Sequence, residues 1–317
     1  LETTIAIDGG TVYCLAVDAS YIVGGTSNYL VNVWDRATYE LLRSCTGHGS
    51  YVWSVAIDDS SILSGSYDRT VKLWNKVSGE EIRTYEGHSH YVTSVSMNTT
   101  RVVSGSQDGT VKVWNKESGE VLHTLSSPRC GSVYAMKLNG NHIVSAAQDN
   151  QHSGQSLIVA WDLTSGLEIR TYESHQGVIK GLAFDETTII SCSDNQTMKI
   201  WNHDCEETAA LLRTFKGHTG SLNSIAMDDT HILSGSDDYS MKLWDRESRA
   251  LLHSFEGRSF NIFKRSSFIV SQFHNSLTVM LLKFPIPLLF SSAGAMQQGN
   301  VSPLGHMCMC IQGAIQK

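Results

Sequence analysis

Polar and apolar residues alternate in short runs along most of the chain. Val52-Trp53-Ser54-Val55-Ala56 alternates, Asp58-Asp59-Ser60 turns the chain, and Ile62 to Ser66 reads as a second strand. Asp68-Arg69 then turns the chain into Thr70 to Trp74, and Ser78-Gly79 turns it again into Glu81 to Tyr85. A period of two puts successive side chains on opposite faces of an extended strand, while Asp, Ser and Gly supply turn conformations. The segment therefore predicts four short strands joined by tight turns. No stretch of any length carries the spacing of an amphipathic helix.

The same text recurs. Trp34, Trp74, Trp114, Trp161, Trp201 and Trp244 are separated by 40, 40, 47, 40 and 43 residues. Four of them have a histidine 26 residues upstream: His48, His88, His175 and His218. Chance does not hold one offset four times over. Four short strands repeated with a period near 40 residues point to a propeller, in which sheets are set radially around a channel.

The Gly-His and Trp-Asp signatures in these repeats resemble the WD-repeat (WD40) family over about residues 1–283. The resemblance implies a hydrogen-bonded His-Ser-Asp-Trp tetrad in each blade. Carried onto this chain, the tetrads are His48, Ser64, Asp68 and Trp74; His88, Ser104, Asp108 and Trp114; and His218, Ser234, Asp238 and Trp244. Three repeats depart from the pattern. His175 and Ser191 face Asn195, the first repeat has Asn28 at the Asp position, and the fourth has no histidine near Pro128 to Cys130.

Six tryptophans suggest six blades, but a seventh is expected from the chain ends. Aligning Leu1 to Gly10 with Leu41 to Ser50 makes Leu1 to Ala6 a fourth strand, and Ile269 to Leu281 matches Ile232 to Trp244 in register. The expectation is an all-β, seven-bladed β-propeller of four-stranded antiparallel blades. The N-terminal strand would close the ring on a degenerate last blade and so remove both open sheet edges. Residues 284–317 read as a divergent C-terminal tail, because Phe284 to Gln316 contain no Asp, Glu, Lys or Arg.

Composition narrows the function. The net charge of −7 argues against a nucleic-acid partner, which needs a basic face. Leu277 to Phe290 is apolar for only 14 residues and contains Lys283, Pro285 and Pro287, short of the ~20 that span a bilayer, so no membrane is expected. Seven scattered cysteines fit free thiols in a reducing compartment, and the expected location is the cytoplasm or also the nucleus. The chain opens on Leu1 rather than Met, so an upstream region is expected to be missing.

A recurring Ser, His and Asp set invites a hydrolase, but a triad needs one nucleophile, base and orienter at one cleft, not a copy per blade. The resemblance makes the set structural, so no enzyme activity is expected. His306, Cys308 and Cys310 fall short of a zinc site in ligand number and spacing. No phosphate-cradling glycine loop is present, and no cofactor or metal is expected. The fourth repeat has six additional residues between Asp149 and Trp161, centred on Asn150 to Gln155, expected to project as a polar loop on one rim. A smaller expansion around Asp204 to Thr208 is expected to be neutral.

Propellers of the resembled family bind peptides on the narrow face around the channel. Two positions per blade reach it: the residue after the first-strand Val and the residue before the tetrad Asp. On this chain the first set is Tyr13, Trp53, Thr93, Tyr134, Lys180, Asn223 and Phe263, and the second Ser27, Tyr67, Gln107, Gln148, Asp194, Asp237 and His274. Exposed aromatics are common interface anchors, so the expected partner is a protein or peptide that offers an apolar residue to the rings and Arg or Lys to the acids. The text between strands is similar to the propellers of F-box/WD-repeat proteins and related RING-type ligases, which implies a substrate receptor in ubiquitin ligation. A general scaffold with no ubiquitin link is the alternative. One lysine and no arginine at the face positions argue against phosphate recognition, which uses Arg clusters. The absence of a Trp-Asp-x-Arg sequence weakens a cullin-4 adaptor role.

Overall fold

A computed structural model describes residues 3–5, 10–203, 211–256, 268–273, 276–282 and 308–311, with side chains over 10–203 and 211–255. Every regular element in these residues is a strand. Blade two shows the plan: Val52–Ile57, Ser61–Ser66, Val71–Asn75 and Glu81–Tyr85 pair antiparallel in chain order. The blades at residues 12–45, 92–125, 130–176, 179–215 and 222–256 repeat it. The first strands of all six blades line one central cavity of about 910 Å³.

Stability resides between blades. The layer between blades one and two joins Val23, Val31 and Val33 to Val52, Val55, Ile62 and Trp74. Equivalent layers are closed by Trp114, Trp161, Trp201 and Trp244. Each tryptophan is thus the plug between its own blade and the preceding one. The Ser-Gly-Ser of the second strand permits this close approach, because a Cβ on Gly65 would come within 2.7 Å of Val92 and Val95 methyls. Cys14, Cys45, Cys130 and Cys192 are free thiols, and burial pushes Cys14 and Cys192 up to about 12.

The expectation of seven blades is corrected. The repeat builds six blades of four consecutive strands, and the remaining sheet is a composite of both chain ends. Its order is Thr3–Ile5, Cys308–Ile311, Ser276–Leu282, Phe268–Phe273. Phe268–Phe273 packs against the first strands of blades six and one, one position further in than its match to Ile232 and its neighbours implies. The N-terminal strand pairs with Cys308–Ile311, not with the 269–281 segment expected to receive it. A strand from the presumed tail therefore takes the third position, where the repeat would place its tryptophan. The 269–281 segment has Leu281 where its match to Ile232 to Trp244 would put the tryptophan, so it brings no indole like those that plug the other layers.

Candidate functional site

The tetrads are buried networks. In blade two, the Trp74 indole N–H donates to Ser64 Oγ at 2.8 Å. Ser64 lies 2.7 Å from His48 Nε2, and His48 Nδ1 lies 2.7 Å from Asp68 Oδ2. Because the carboxylate accepts, His48 Nδ1 carries the proton and Nε2 takes the serine O–H. Blades three and six repeat the geometry, with Trp-to-Ser distances of 2.9 and 3.0 Å. Burial alone would raise the Asp68 carboxyl, but hydrogen bonds from His48, Thr70 and the Gly49 N–H hold it well below the usual carboxylate range. Ser64, Ser104 and Ser234 are 0% exposed, so no substrate reaches their hydroxyls in the folded ring.

The irregular repeats solve the same problem differently. In blade five, His175 Nδ1 meets Thr197 Oγ1 at 3.0 Å and Nε2 meets Ser191 at 2.9 Å. Burial, with the Lys199 charge, pushes the His175 pKa down to about 3, so this histidine is neutral. In blade four Trp161 still donates to Ser145, while Asp149 takes Arg129 at 2.8 Å and His152 at 3.0 Å in place of the lost histidine. His152 comes from the inserted segment, whose residues 150–155 are exposed. In blade one Gly24 stands where the serine would be, and the buried Trp34 N–H has no partner among the described residues.

The face positions have a backbone cause. In every blade the first strand slips register around an equivalent residue, Tyr13, Trp53, Thr93, Tyr134, Lys180 and Asn223, and blade four slips a second time between Cys130 and Val133. A bulge re-aims the side chain it carries. The second set lies alongside, since the N–H groups of Ser27, Tyr67, Gln107, Asp194 and Asp237 donate to the carbonyl two residues before each bulge. Phe263 and His274 lie outside the residues whose side chains are described.

The structure joins some of these residues into one row. Tyr13 and Trp53 lie 4.8 Å apart, Trp53 and Tyr67 stack at 4.9 Å, and Tyr67 and Tyr91 stack at 4.2 Å. Tyr51 meets Tyr13 at 5.7 Å and Tyr67 at 6.1 Å, and Tyr29 meets Tyr51 at 5.7 Å. Tyr29, Tyr51, Trp53 and Tyr91 are each 37–41% exposed. Burial raises the Tyr67 pKa, and the nearby Tyr13, Tyr91 and Tyr134 phenols raise it further, so Tyr67 is a neutral donor. Tyr29, Tyr51 and Tyr91 escaped the two-position rule. For Tyr51 and Tyr91 the signal is a third position, since Tyr51-Val52 and Tyr91-Val92 recur immediately before the first strand, whereas Tyr29 sits in the turn between the second and third strands of blade one.

Other face positions do not join the row. Thr93 is buried, donating to Gly105 and Val133 carbonyls. Asp194 accepts the Val178 N–H at 2.8 Å. Lys180 donates to Asn223 at 2.9 Å, and the Asn223 amide donates to Asp237. The acids are therefore already engaged within blades five and six. Gln107 is half-buried and Gln148 exposed, without ring partners. Among the described residues no group of three or more His, Cys, Asp or Glu could hold a metal, and no helix is long and apolar enough to cross a membrane.

Four segments match the family model described as WD domain, G-beta repeat: residues 39–75, 79–115, 166–202 and 209–245. The chain is a WD40-repeat protein. Each matched WD40 segment supplies the fourth strand of one blade and the first three of the next, so sequence repeat and blade are offset by a strand. A curated relative, DDB1- and CUL4-associated factor 13 of Dictyostelium discoideum, is 37% identical over 57 residues. That alignment covers 17% of this chain and 13% of the relative.

Proposed function

We propose that this WD40 propeller is a non-catalytic protein-interaction platform that holds an extended peptide on the face carrying the bulge residues. The observation that carries this is the continuous row of rings from Tyr13 to Tyr91, in which Trp53 and Tyr91 are exposed and Tyr13 and Tyr67 half-buried. Soluble chains seldom leave contiguous aromatic surface open, and such rings are favoured interface anchors. The row supplies most of the affinity, because Asp194 and Asp237 already have partners. We further propose that the propeller is the substrate-binding half of a ubiquitin-ligase receptor. The likeness of its inter-strand text to F-box/WD propellers supports this, as does the relative named for association with DDB1 and CUL4.

The test of the platform is an unbiased peptide array probed with the purified chain and its Trp53→Ala variant. Spots that bind the parent and lose the variant are expected, and an array with no such spots would end the proposal. The ligase role is tested on the full-length product of the transcript. It should carry an F-box or RING domain and promote ubiquitin transfer to a face-bound protein, and transfer unchanged by Trp53→Ala would separate the face from that role.

A further inference from the structure

The inner strands carry one unmatched residue inside the channel. Opposite the position before each tetrad serine (Gly24 in blade one), blades one to six place Ala16, Ala56, Ser96, Lys137, Ala183 and Ala226. All six border the same cavity of about 910 Å³. Five are small, and of the six only Lys137 reaches out into the water of the channel.

Lys137 has no counter-ion. Lys72, Lys76 and Lys116 each meet a carboxylate, whereas no hydrogen bond or ion pair reaches the Lys137 ammonium from the described residues. Asp185, Glu186, Asp228 and Asp229 also border the cavity, but they follow the ends of their strands, at its rim. Asp185 is taken up by Arg246 and the Thr187 and Thr188 N–H groups, and Asp228 by the Thr230 and His231 N–H groups. The strands of the composite sheet contain no Asp or Glu. The protein around Lys137 lowers its pKa, and no neighbouring carboxylate raises it again. A cation walled in by protein is costly until an opposite charge joins it.

We infer that Lys137 anchors a site for a small, singly charged oxyanion within the channel. The ammonium offers three donors, and such charge-assisted bonds are about twice as strong as neutral ones. The Ser96 hydroxyl borders the cavity from the matching position of the adjacent inner strand and has no partner among the described residues, so it can add a donor. One ammonium sets the limit on the ligand: a second negative charge would stand uncompensated in a channel whose rim carries carboxylates. The site lies inside the ring, apart from the face rings, and does not depend on the peptide platform.

The test is NMR of the intact chain isotope-labelled at the lysine ε-carbons, with the Lys137 signal identified by its loss in Lys137→Ala. Sodium acetate is titrated in at constant ionic strength, with chloride as the balancing anion. The Lys137 signal should shift to saturation with a midpoint on the order of 10 mM, as befits a contact with a single charge. Its pH midpoint should rise in acetate, because a bound anion favours the charged amine. Phosphate, largely a dianion at about pH 7.5, should need at least about threefold more. Lys137→Ala gives blade four the residue of four sister blades, so it should melt no lower than the parent. Acetate at ~100 mM should raise the melting temperature of the parent above that in chloride, and not that of the variant. A Lys137 signal that does not saturate below ~100 mM acetate, or that follows phosphate more tightly, would overturn the inference. So would a clear loss of stability in Lys137→Ala, which would make the lysine a structural contact.

Discussion

At the scale of the residue, two kinds of aromatic serve opposite ends. Trp74 is 1% exposed and plugs the layer between blades one and two, while Trp53 is 37% exposed and contributes to the face. Trp74→Ala removes the plug and leaves Ser64 without its indole donor, so it should cost about 3–5 kcal/mol in denaturant unfolding. A curve superimposable on the parent would contradict the structural role of the tetrad. His175 gives a pH test. Its folded pKa of about 3 lies below the ordinary ~6.5 of the unfolded chain. Between those values the unfolded chain binds the extra proton, so stability falls as pH is lowered from ~6.5 toward ~3, by at most about 1.4 kcal/mol per pH unit. His175→Gln should be less stable near neutral pH yet lose less on acidification, checked by melting temperature against pH. An acid limb as steep as the parent's would mean that His175 titrates normally in the fold. The tetrads were legible because their members keep fixed offsets. Arg129 was not, because its long side chain reaches Asp149 from a position where the pattern specifies nothing.

At the scale of the element, turns and alternation placed the strands of blade two nearly to the residue, and the same signals carried through to blade six. The composite sheet shows where that legibility ends. The Cys308–Ile311 strand reads Cys-Met-Cys-Ile, with no polar face to mark it. Its pairing with Thr3–Ile5 depends on chain ends that carry no shared motif. The bulges were visible only indirectly, through which residues differ between repeats at the position after the first-strand Val. Close packing between elements yields its own test. A methyl on Gly65 would meet two valine side chains at 2.7 Å, and branched side chains on an inner strand cannot swing away. Gly65→Ala should therefore destabilise by about 1–3 kcal/mol through overpacking, although glycine-to-alanine changes in strands otherwise tend to stabilise. A stability gain measured by denaturant unfolding would show that the blades separate more readily than their packing implies.

At the scale of the whole molecule, the one-strand offset between WD40 repeat and blade ties each blade to the next by covalent continuity as well as by a tryptophan. The six first strands are thereby held around one channel, and the bulge residues Tyr13 and Trp53 join Tyr67 and Tyr91 in a single row. The chain carries a net charge of −7, which taken alone favours a basic ligand. The row itself contains no charged group, and the face acids are satisfied locally: Asp194 by the Val178 N–H, Asp237 by the Asn223 amide, with Lys180 beside it. Recognition by neutral rings and hydroxyls is insensitive to ionic strength, whereas exposed charge pairing weakens as the Debye length falls from ~10 Å at ~0.1 M salt to ~3 Å at ~1 M. Peptide affinity should accordingly change less than about threefold over that range, and Asp237→Asn should shift it by less than about fivefold, since an exposed pair is worth at most ~1 kcal/mol. Trp53→Ala should weaken the same peptide about tenfold at every salt concentration. The measurement is an anisotropy titration of parent and both variants across the salt series. A steep salt slope in the parent that Asp237→Asn flattens would transfer the recognition from the rings to the acids.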